Sequence, residues 1–133
     1  MKHKERYGAI ESLLITFLIL GEELEKPLND LEIIMAYIYG MKIFTPWNGT
    51  KLMDDPSKYT VVEMGNVGDA EIKRVITQGR EILELEEFPE GWVYDTMNHH
   101  IINIPGVVMP KTKEWMKWVI DTLEVEAKKA GKL

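Results

Sequence analysis

Cysteine is absent from this chain of 133 residues, and histidine is rare. Without cysteine there can be no disulfide framework, no zinc site with cysteine ligands and no thiol catalysis. The three histidines, His3, His99 and His100, are too few and too scattered for a histidine-only metal site. The chain also lacks a phosphate-binding glycine loop and a Gly-x-Ser-x-Gly nucleophile motif. We therefore predict a protein that is not an enzyme and that has no metal or other cofactor.

A long apolar run is missing as well. The strongest run covers residues 10–20, and Glu11, Ser12 and Thr16 interrupt it. A membrane-spanning helix needs roughly 20 predominantly apolar residues, so this run is too short. No small-residue cleavage site of the secretory type follows it. We predict a buried core helix in a cytoplasmic protein that has no membrane contact.

The rest of the composition is that of an ordinary globular protein, with 45% apolar and 29% charged residues. A chain of this length supports one domain with its own core, and we predict a single domain over residues 1–133. Only one glutamine, Gln78, stands against 16 glutamates and 13 lysines. That balance is typical of thermophiles, in which lysine and glutamate rise and labile amides fall.

The charge is acidic and unevenly distributed. A net charge of -6 is the main argument against nucleic-acid binding. By segment, residues 42–80 carry a net charge of +1, residues 81–110 carry -6 and residues 111–133 carry +2. An acidic protein can still bind DNA when one face is basic, although its non-specific affinity is then weak.

Apolar periodicity predicts helices in the first forty residues. Within residues 10–20, five apolar side chains recur at helical spacing: Ile10, Leu13, Leu14, Phe17 and Leu18. A second helix is predicted to begin at Asn29 or Asp30, with Glu32 in its first turn, and to end at Gly40. The Asn48-Gly49 pair then favours a tight hairpin, and residues 59–64 are a plausible strand.

Residues 69–79 form the candidate DNA-reading helix, with Asp69 as its predicted cap. Ile72, Val75 and Ile76 form an inward stripe at helical spacing, which leaves polar side chains on the opposite side. Such side chains reach phosphates and base edges in a major groove. The predicted DNA-binding residues on and after this helix are Lys73, Arg74, Thr77, Gln78 and Arg80.

A β-wing is predicted after this helix, over residues 82–104. Residues 82–88 alternate imperfectly between apolar and charged, residues 89–91 read as a Pro-Glu-Gly turn, and residues 101–104 read as a return strand. His99 and His100 stand near this wing. They either contact a DNA backbone or are half-buried strand residues.

The apolar spacing along residues 111–130 predicts an amphipathic C-terminal helix. Thr112 is its expected N-cap, Glu114 lies in its first turn, and Trp115 and Trp118 are part of its apolar stripe. An uncovered part of that stripe would form a homodimer interface, because exposed apolar patches mark partner sites. A dimer would also match the two-fold symmetry of palindromic operators.

Residues 72–120 resemble the winged helix-turn-helix transcription regulators of the MarR and PadR type. The resemblance lies in the order helix, hairpin, helix and in residues 108–115, which are similar to a Leu-Thr-x-x-Gly-x-x-Trp segment of that family. It implies an α+β, winged-helix-like fold with a β-containing insertion and a C-terminal amphipathic helix. It also implies contacts with double-stranded DNA from Lys73, Arg74, Thr77 and Gln78, with the hairpin over residues 88–100 against the backbone.

Other readings stay open. The 28 residues between Gly40 and Asp69 are either an insertion or a sign that the paired helices are not a helix-turn-helix. Asp54 or Asp55 with Glu71 and Lys73 has the residue order of metal-dependent nucleases, but Glu71 and Lys73 lie in a helical segment that would point them apart. The second candidate function is a non-enzymatic protein-binding module, an accessory or inhibitor protein of a virus or mobile element. Acidic charge and four tryptophans suit protein contacts as well as DNA contacts.

Overall fold

A computed structural model describes residues 6–23, 28–46, 59–64 and 67–133, with the backbone alone for the two strands. Its elements follow in chain order as α1 (Gly8–Leu18) with a π-helical turn (Ile19–Glu23), α2 (Asp30–Tyr39), β1 (Met41–Pro46), β2 (Tyr59–Met64), α3 (Asp69–Leu83), α4 (Glu90–Thr96) and α5 (Thr112–Lys129). The core is built by the helices. α1 lies at its centre, and α3 packs between α1 and α5.

The central position of α1 follows from its sequence. The apolar side chains that recur at helical spacing are buried on one side of the helix: Ala9, Ile10, Leu13, Leu14 and Phe17. Phe17 packs edge-on against Trp115 of α5, with ring centroids 5.0 Å apart. The prediction of a core helix in this segment is confirmed. Among the described residues, no helix is long and apolar enough to cross a membrane.

The start and end of α2 are set by local hydrogen bonds. The Asn29 side chain accepts from the backbone N–H of Glu32, and the Glu32 carboxylate accepts from the N–H of Asn29, which is a reciprocal capping box. Gly40 ends the helix at a φ of 79°, a conformation that favours glycine. Both predicted ends of this helix are therefore confirmed, with Asn29 as the cap.

The described strands form one antiparallel ribbon. Met41 of β1 pairs with Met64 of β2, and Pro46 pairs with Tyr59. The predicted Asn48-Gly49 turn and the aspartates Asp54 and Asp55 lie outside the described residues. The ribbon lies earlier in the chain than α3, so it does not supply the wing that was predicted to follow that helix.

The predicted β-wing over residues 82–104 is wrong, and with it the α+β winged-helix fold class. α3 extends through Ile82 and Leu83, because Ile82 continues its buried stripe at helical spacing and Leu83 packs partly buried against the core. Pro89, which was read as part of a turn, is the residue before α4. Residues 101–104 form no strand, and Ile104 makes only an isolated bridge with Val107. The described fold is helical, and no winged helix is present in it.

α5 closes the core with its apolar stripe. Trp115, Met116, Val119, Ile120 and Leu123 are buried against the other helices. The stripe is thus covered within the chain, and the exposed large apolar residue of α5 is Val125. The uncovered stripe on which the predicted homodimer depended is absent from this described helix, and dimerisation itself stays a prediction.

Two predicted caps differ from the structure. α3 begins with Asp69 as its first helical residue, and Gly68 is the N-cap. α5 begins with Thr112, Lys111 is the N-cap, and the Glu114 carboxylate accepts from the backbone N–H of Lys111. The Thr112 hydroxyl is buried and has no hydrogen-bond partner among the described residues.

Candidate functional site

The solvent face of α3, the predicted DNA-reading surface, is largely occupied by internal contacts. Arg74 forms an ion pair with Glu71 on its own helix, at 2.6 Å between Nη1 and Oε2. Arg80 reaches across to α5, where its guanidinium lies 2.6 Å from Asp121 and 3.4 Å from Glu124. Two of the three basic residues proposed to contact phosphate therefore face carboxylates of this chain.

Gln78 serves the neighbouring helix. Its side-chain oxygen accepts hydrogen bonds from the backbone N–H groups of Ala9 and Ile10, at 3.0 and 3.3 Å. The first N–H groups of an α-helix lack partners within the helix, and the N-cap residue Tyr7 offers no side-chain cap. Gln78 of α3 therefore caps the N-terminus of α1. Of the predicted DNA-binding residues on this helix, Lys73 and Thr77 are exposed. Lys73 makes no ion pair with the described residues.

The two adjacent histidines have opposite environments. The His99 side chain is 74% exposed, lies 3.6 Å from Asp95 and stacks on Tyr94. His100 is only 5% exposed and points into the protein. The alternative that placed both as half-buried strand residues is wrong, because neither lies in a strand.

His100 is the centre of a polar cluster whose His100, Asp30 and Trp115 side chains are buried. Its Nδ1 lies 2.9 Å from Oε1 of Glu22, at the end of the π-helical turn, and its Nε2 lies 2.7 Å from Oδ1 of Asp30, at the start of α2. The second oxygen of Asp30 accepts from Trp115 Nε1 at 2.9 Å and from the backbone N–H of Asn103 at 2.7 Å. We call these five residues the His100 cluster.

The electrostatics of this cluster favour an imidazolium ion. Burial opposes protonation of His100, but the hydrogen bonds and negative charges of Asp30 and Glu22 outweigh it and raise the pKa of His100. Ionised carboxylates only accept hydrogen bonds, so a ring with two N–H donors satisfies both contacts. Gly21 leaves the space for this ring, since a Cβ there would lie 2.5 Å from its Cε1.

The cluster fixes the loop that follows His100. The backbone N–H of Ile101 donates to Glu22 at 3.3 Å, and that of Asn103 donates to Asp30. Further along, the N–H of Val107 donates to the carbonyl of Ile104 at 3.0 Å, and Ile104 is buried. The contacts of Ile101 and Asn103 and the buried side chain of Ile104 tie the start of the segment to the core, and the Val107 hydrogen bond closes a turn within it.

Residues 101–109, which we call the apolar loop, expose large apolar side chains to solvent. Ile101 is 83% exposed, Val108 is 89% exposed and Met109 is 90% exposed. Met109 has a φ of 52°, a left-handed conformation that side chains with a Cβ rarely adopt. Strained backbone of this kind persists where the surrounding structure enforces it, and it concentrates at functional sites.

A groove of about 740 Å³ lies beside Met109, between the end of α3 and the start of α5. Met109 and Leu83 form its apolar part. Four cationic side chains also line it: Arg80, Lys111, Lys113 and Lys117. Glu84 and Glu114 add two negative charges, and Asp121 and Glu124 pair with Arg80 and Lys117, so the groove is lined by charges of both signs.

Sequence reasoning missed this site for a traceable reason. Asn29 and Asp30 are both cap-forming residues at one helix start, where a single N-cap is needed. The spare carboxylate therefore pointed to a tertiary role, but its partners lie 70 to 85 residues further along the chain. No local pattern marks a pairing over that distance.

Comparisons with protein-family models, with curated proteins and with solved structures found no match. Among the described residues, no group of three or more histidine, aspartate or glutamate side chains could hold a metal ion. The site is therefore interpreted from its own geometry: an apolar loop, anchored at its start, beside a groove lined by charges of both signs.

Proposed function

We propose that this protein is a non-enzymatic protein-binding module and that the apolar loop is its contact surface. The observation that carries the proposal is the exposure of Ile101, Val108 and Met109 by more than four-fifths on a loop whose first residues, Ile101 and Asn103, donate backbone hydrogen bonds to Glu22 and Asp30 of the His100 cluster. An unstructured loop of polar residues would be the ordinary way to connect α4 to α5. This loop instead exposes large apolar side chains, and backbone hydrogen bonds tie its first residues to the core.

The energetics of binding favour such a surface. Full burial of a valine, isoleucine or methionine side chain contributes about 1.5–3 kcal/mol through the hydrophobic effect. The conformational entropy lost on binding is small when the loop is already ordered, so more of this gain appears as affinity. Three such side chains on one short loop match the small central clusters that dominate the binding energy of protein interfaces.

DNA recognition by α3 has weaker support. The wing that should flank the helix is absent, and Arg74, Gln78 and Arg80 make contacts within the chain. The chain as a whole carries a net charge of -6, which opposes approach to a phosphate backbone. The exposed apolar loop also has no role in that function.

A peptide-display selection against the purified protein tests the proposal. We expect enriched peptides that bind the wild type and the control variant Val125→Asp, and that lose roughly tenfold or more in affinity for Val108→Asp. Val125 is an exposed valine of α5, at 51% exposure, so both variants add the same charge at a solvent-facing valine. Selected peptides that bind both variants equally, or a selection that yields none, would overturn the proposal.

Titration with random duplex DNA at low and moderate salt tests the rival function. We expect no binding under either condition. Binding that falls steeply with salt and disappears in the double variant Lys73→Ala/Arg74→Ala would instead establish the predicted DNA-reading surface.

A further inference from the structure

We infer that protonation of His100 controls binding by the apolar loop: the imidazolium ion holds Glu22 against Ile101, the first residue of the loop, and loss of the proton releases both. The inference rests on the proposed function and adds a regulatory step to that same site. It follows from the hydrogen-bond donors and acceptors around the ring, and from the unequal exposure of the two carboxylates that face it.

The two ring nitrogens of His100 each face a carboxylate oxygen. Nε2 lies 2.7 Å from Oδ1 of Asp30, and Nδ1 lies 2.9 Å from Oε1 of Glu22. An imidazolium ion has two N–H groups and donates to both oxygens, whereas a neutral ring has one N–H group and one lone pair. Loss of the proton therefore places one nitrogen lone pair against a carboxylate oxygen, and that contact becomes repulsive.

The two carboxylates differ in their ability to move away from the ring. The Asp30 side chain is 2% exposed, and its second oxygen accepts from Trp115 Nε1 and from the backbone N–H of Asn103. The Glu22 side chain is 40% exposed in the π-helical turn, so water can replace the ring as its partner. The remaining N–H of the neutral ring consequently stays on Nε2, towards Asp30, and Glu22 is the group that leaves.

The departure of Glu22 changes the start of the apolar loop. Its Oε1 accepts from His100 Nδ1 at 2.9 Å and also from the backbone N–H of Ile101 at 3.3 Å. One movement of this side chain therefore removes a hydrogen bond of the loop together with that of the ring. Asn103 keeps its hydrogen bond to Asp30, so the change is confined to the first residues of the loop.

The surroundings of the ring favour its protonated form below the transition. Burial lowers the pKa of His100, and the hydrogen bonds and negative charges of Asp30 and Glu22 raise it by more. The other neighbouring elements supply aromatic side chains, Phe17 of α1 and Trp115 of α5. The imidazolium ion is therefore lost above the ordinary histidine value of about 6.5, and the loop is held below that transition.

Hydrogen exchange of the loop amides, measured by NMR from about pH 6 to about pH 9, tests this contact without any ligand. The ring protons of His100 report its titration in the same samples. After correction for the intrinsic pH dependence of exchange, we expect protection of the Ile101 amide to fall roughly tenfold as His100 loses its proton. Protection of the Asn103 amide should remain. Equal changes at the two amides, unchanged protection of Ile101, or no titration of His100 in this range would overturn the inference.

The effect on binding is measured with a display-selected peptide that has no histidine or cysteine. We expect its affinity for the wild type to fall roughly fivefold across the His100 titration, because Ile101 must then be ordered on binding. Glu22→Ala should bind as weakly at every pH as the wild type does after the transition. Asp95→Ala, which removes the exposed carboxylate beside His99, should retain the wild-type dependence. PH dependence that survives in Glu22→Ala, or is absent from the wild type, would overturn the inference.

The failure of this inference is distinguishable from failure of the proposed function. Peptides that depend on Val108 but bind equally at both ends of the pH range would leave the apolar loop as a contact surface and remove its control by His100. A selection that yields no peptides, or peptides that bind Val108→Asp equally, overturns the proposed function and the binding step with it. The exchange of Ile101 and Asn103 then still decides whether protonated His100 holds the loop.

Discussion

The solvent face of α3 and the apolar loop both lie on the surface of this protein. They differ in the chemistry of their exposed side chains and in where their polar contacts lie. On α3 the exposed residues are mostly charged or polar, with both signs of charge, and Arg74 is neutralised by Glu71 on the same helix. In the loop the exposed residues are apolar, and the polar contacts lie underneath, in the His100 cluster. A polar surface over an apolar core is ordinary. The loop reverses this arrangement, with apolar side chains at the surface and a polar anchor beneath, and the proposed contact surface rests on that reversal.

The two histidines show the same contrast on a smaller scale. His99 is exposed beside Asp95, and His100 is enclosed by two carboxylates. Their neighbouring positions in the sequence give no hint of this difference. What separates them is the direction in which the chain leaves α4, where Asn98 and His99 adopt positive φ values of 51° and 61°. That backbone geometry turns the next side chain into the core.

The largest expected effect comes from removing the anchor. Asp30→Ala leaves the His100 imidazolium, the Trp115 N–H and the Asn103 N–H without their buried acceptor. Loss of one partner of a buried ion pair destabilises by about 3–5 kcal/mol. Denaturant unfolding measures the change, with Glu71→Ala as the control on the α3 face, where loss of an exposed ion pair should cost less than about 1 kcal/mol. Equal losses in the two variants would contradict the account.

The pH dependence of stability separates the two histidines. The pKa of His100 is raised on folding, so its contribution to stability is complete below the unfolded value of about 6.5 and is lost as the pH rises through the folded pKa. The free energy of unfolding should therefore fall with rising pH above about 6.5, by at most about 1.4 kcal/mol per pH unit for one proton.

The adjacent histidine provides the control for this pH dependence. His99→Gln should retain the slope, and His100→Gln should flatten it. A slope that survives in His100→Gln would show that the proton belongs to another group.

We expect the stability of the protein to change when a single methyl group is added between α3 and α5. A Cβ on Gly79 would lie 2.4 Å from Cδ1 and 2.5 Å from Cγ1 of Ile120, so Gly79→Ala forces the Ile120 side chain or the helices to move. We expect a loss of about 1–3 kcal/mol from overpacking. Gly91→Ala, on α4 with open space around the new Cβ, should instead stabilise by about 0.5–1 kcal/mol through helix propensity. Thermal unfolding distinguishes the signs, and a stabilising Gly79→Ala would refute the close packing.

A small effect of the opposite sign is expected at the start of α5. The buried Thr112 hydroxyl has no hydrogen-bond partner among the described residues, so its burial is uncompensated. Thr112→Val keeps the shape and removes the polar group, and it should stabilise the protein by about 1 kcal/mol. Denaturant titration at constant pH measures the shift. A loss of stability would show that the hydroxyl has a partner after all.

Sequence reasoning succeeded where the signal is local. The apolar spacing around Leu13 and Phe17 predicts α1, and the Asn29 and Glu32 capping box predicts the start of α2, because both depend on residues a few positions apart. The wing prediction failed on a local ambiguity. Ile82 and Leu83 fit a strand pattern as well as they fit the last turn of a helix, and packing against the core decided in favour of the helix.

The site could not be predicted in the same way. The anchored loop depends on Asp30 and Glu22, which lie far from His100 in the sequence. Exposure of Val108 and Met109 is a property of the folded surface, and a short apolar run reads equally well as a buried strand. Charge counting drew attention to α3, but it could not show that Arg74 and Arg80 pair with carboxylates of the chain.

Backbone amide chemical shifts, measured as the tightest display-selected peptide is added, compare the two regions in one experiment. We expect the largest chemical-shift changes at the amides of Ile101, Val108, Met109 and Lys111. The chemical shifts of the Lys73 and Thr77 amides should not change. Changes concentrated on Lys73 and Thr77, with the loop unaffected, would contradict it and return the binding function to the solvent face of α3.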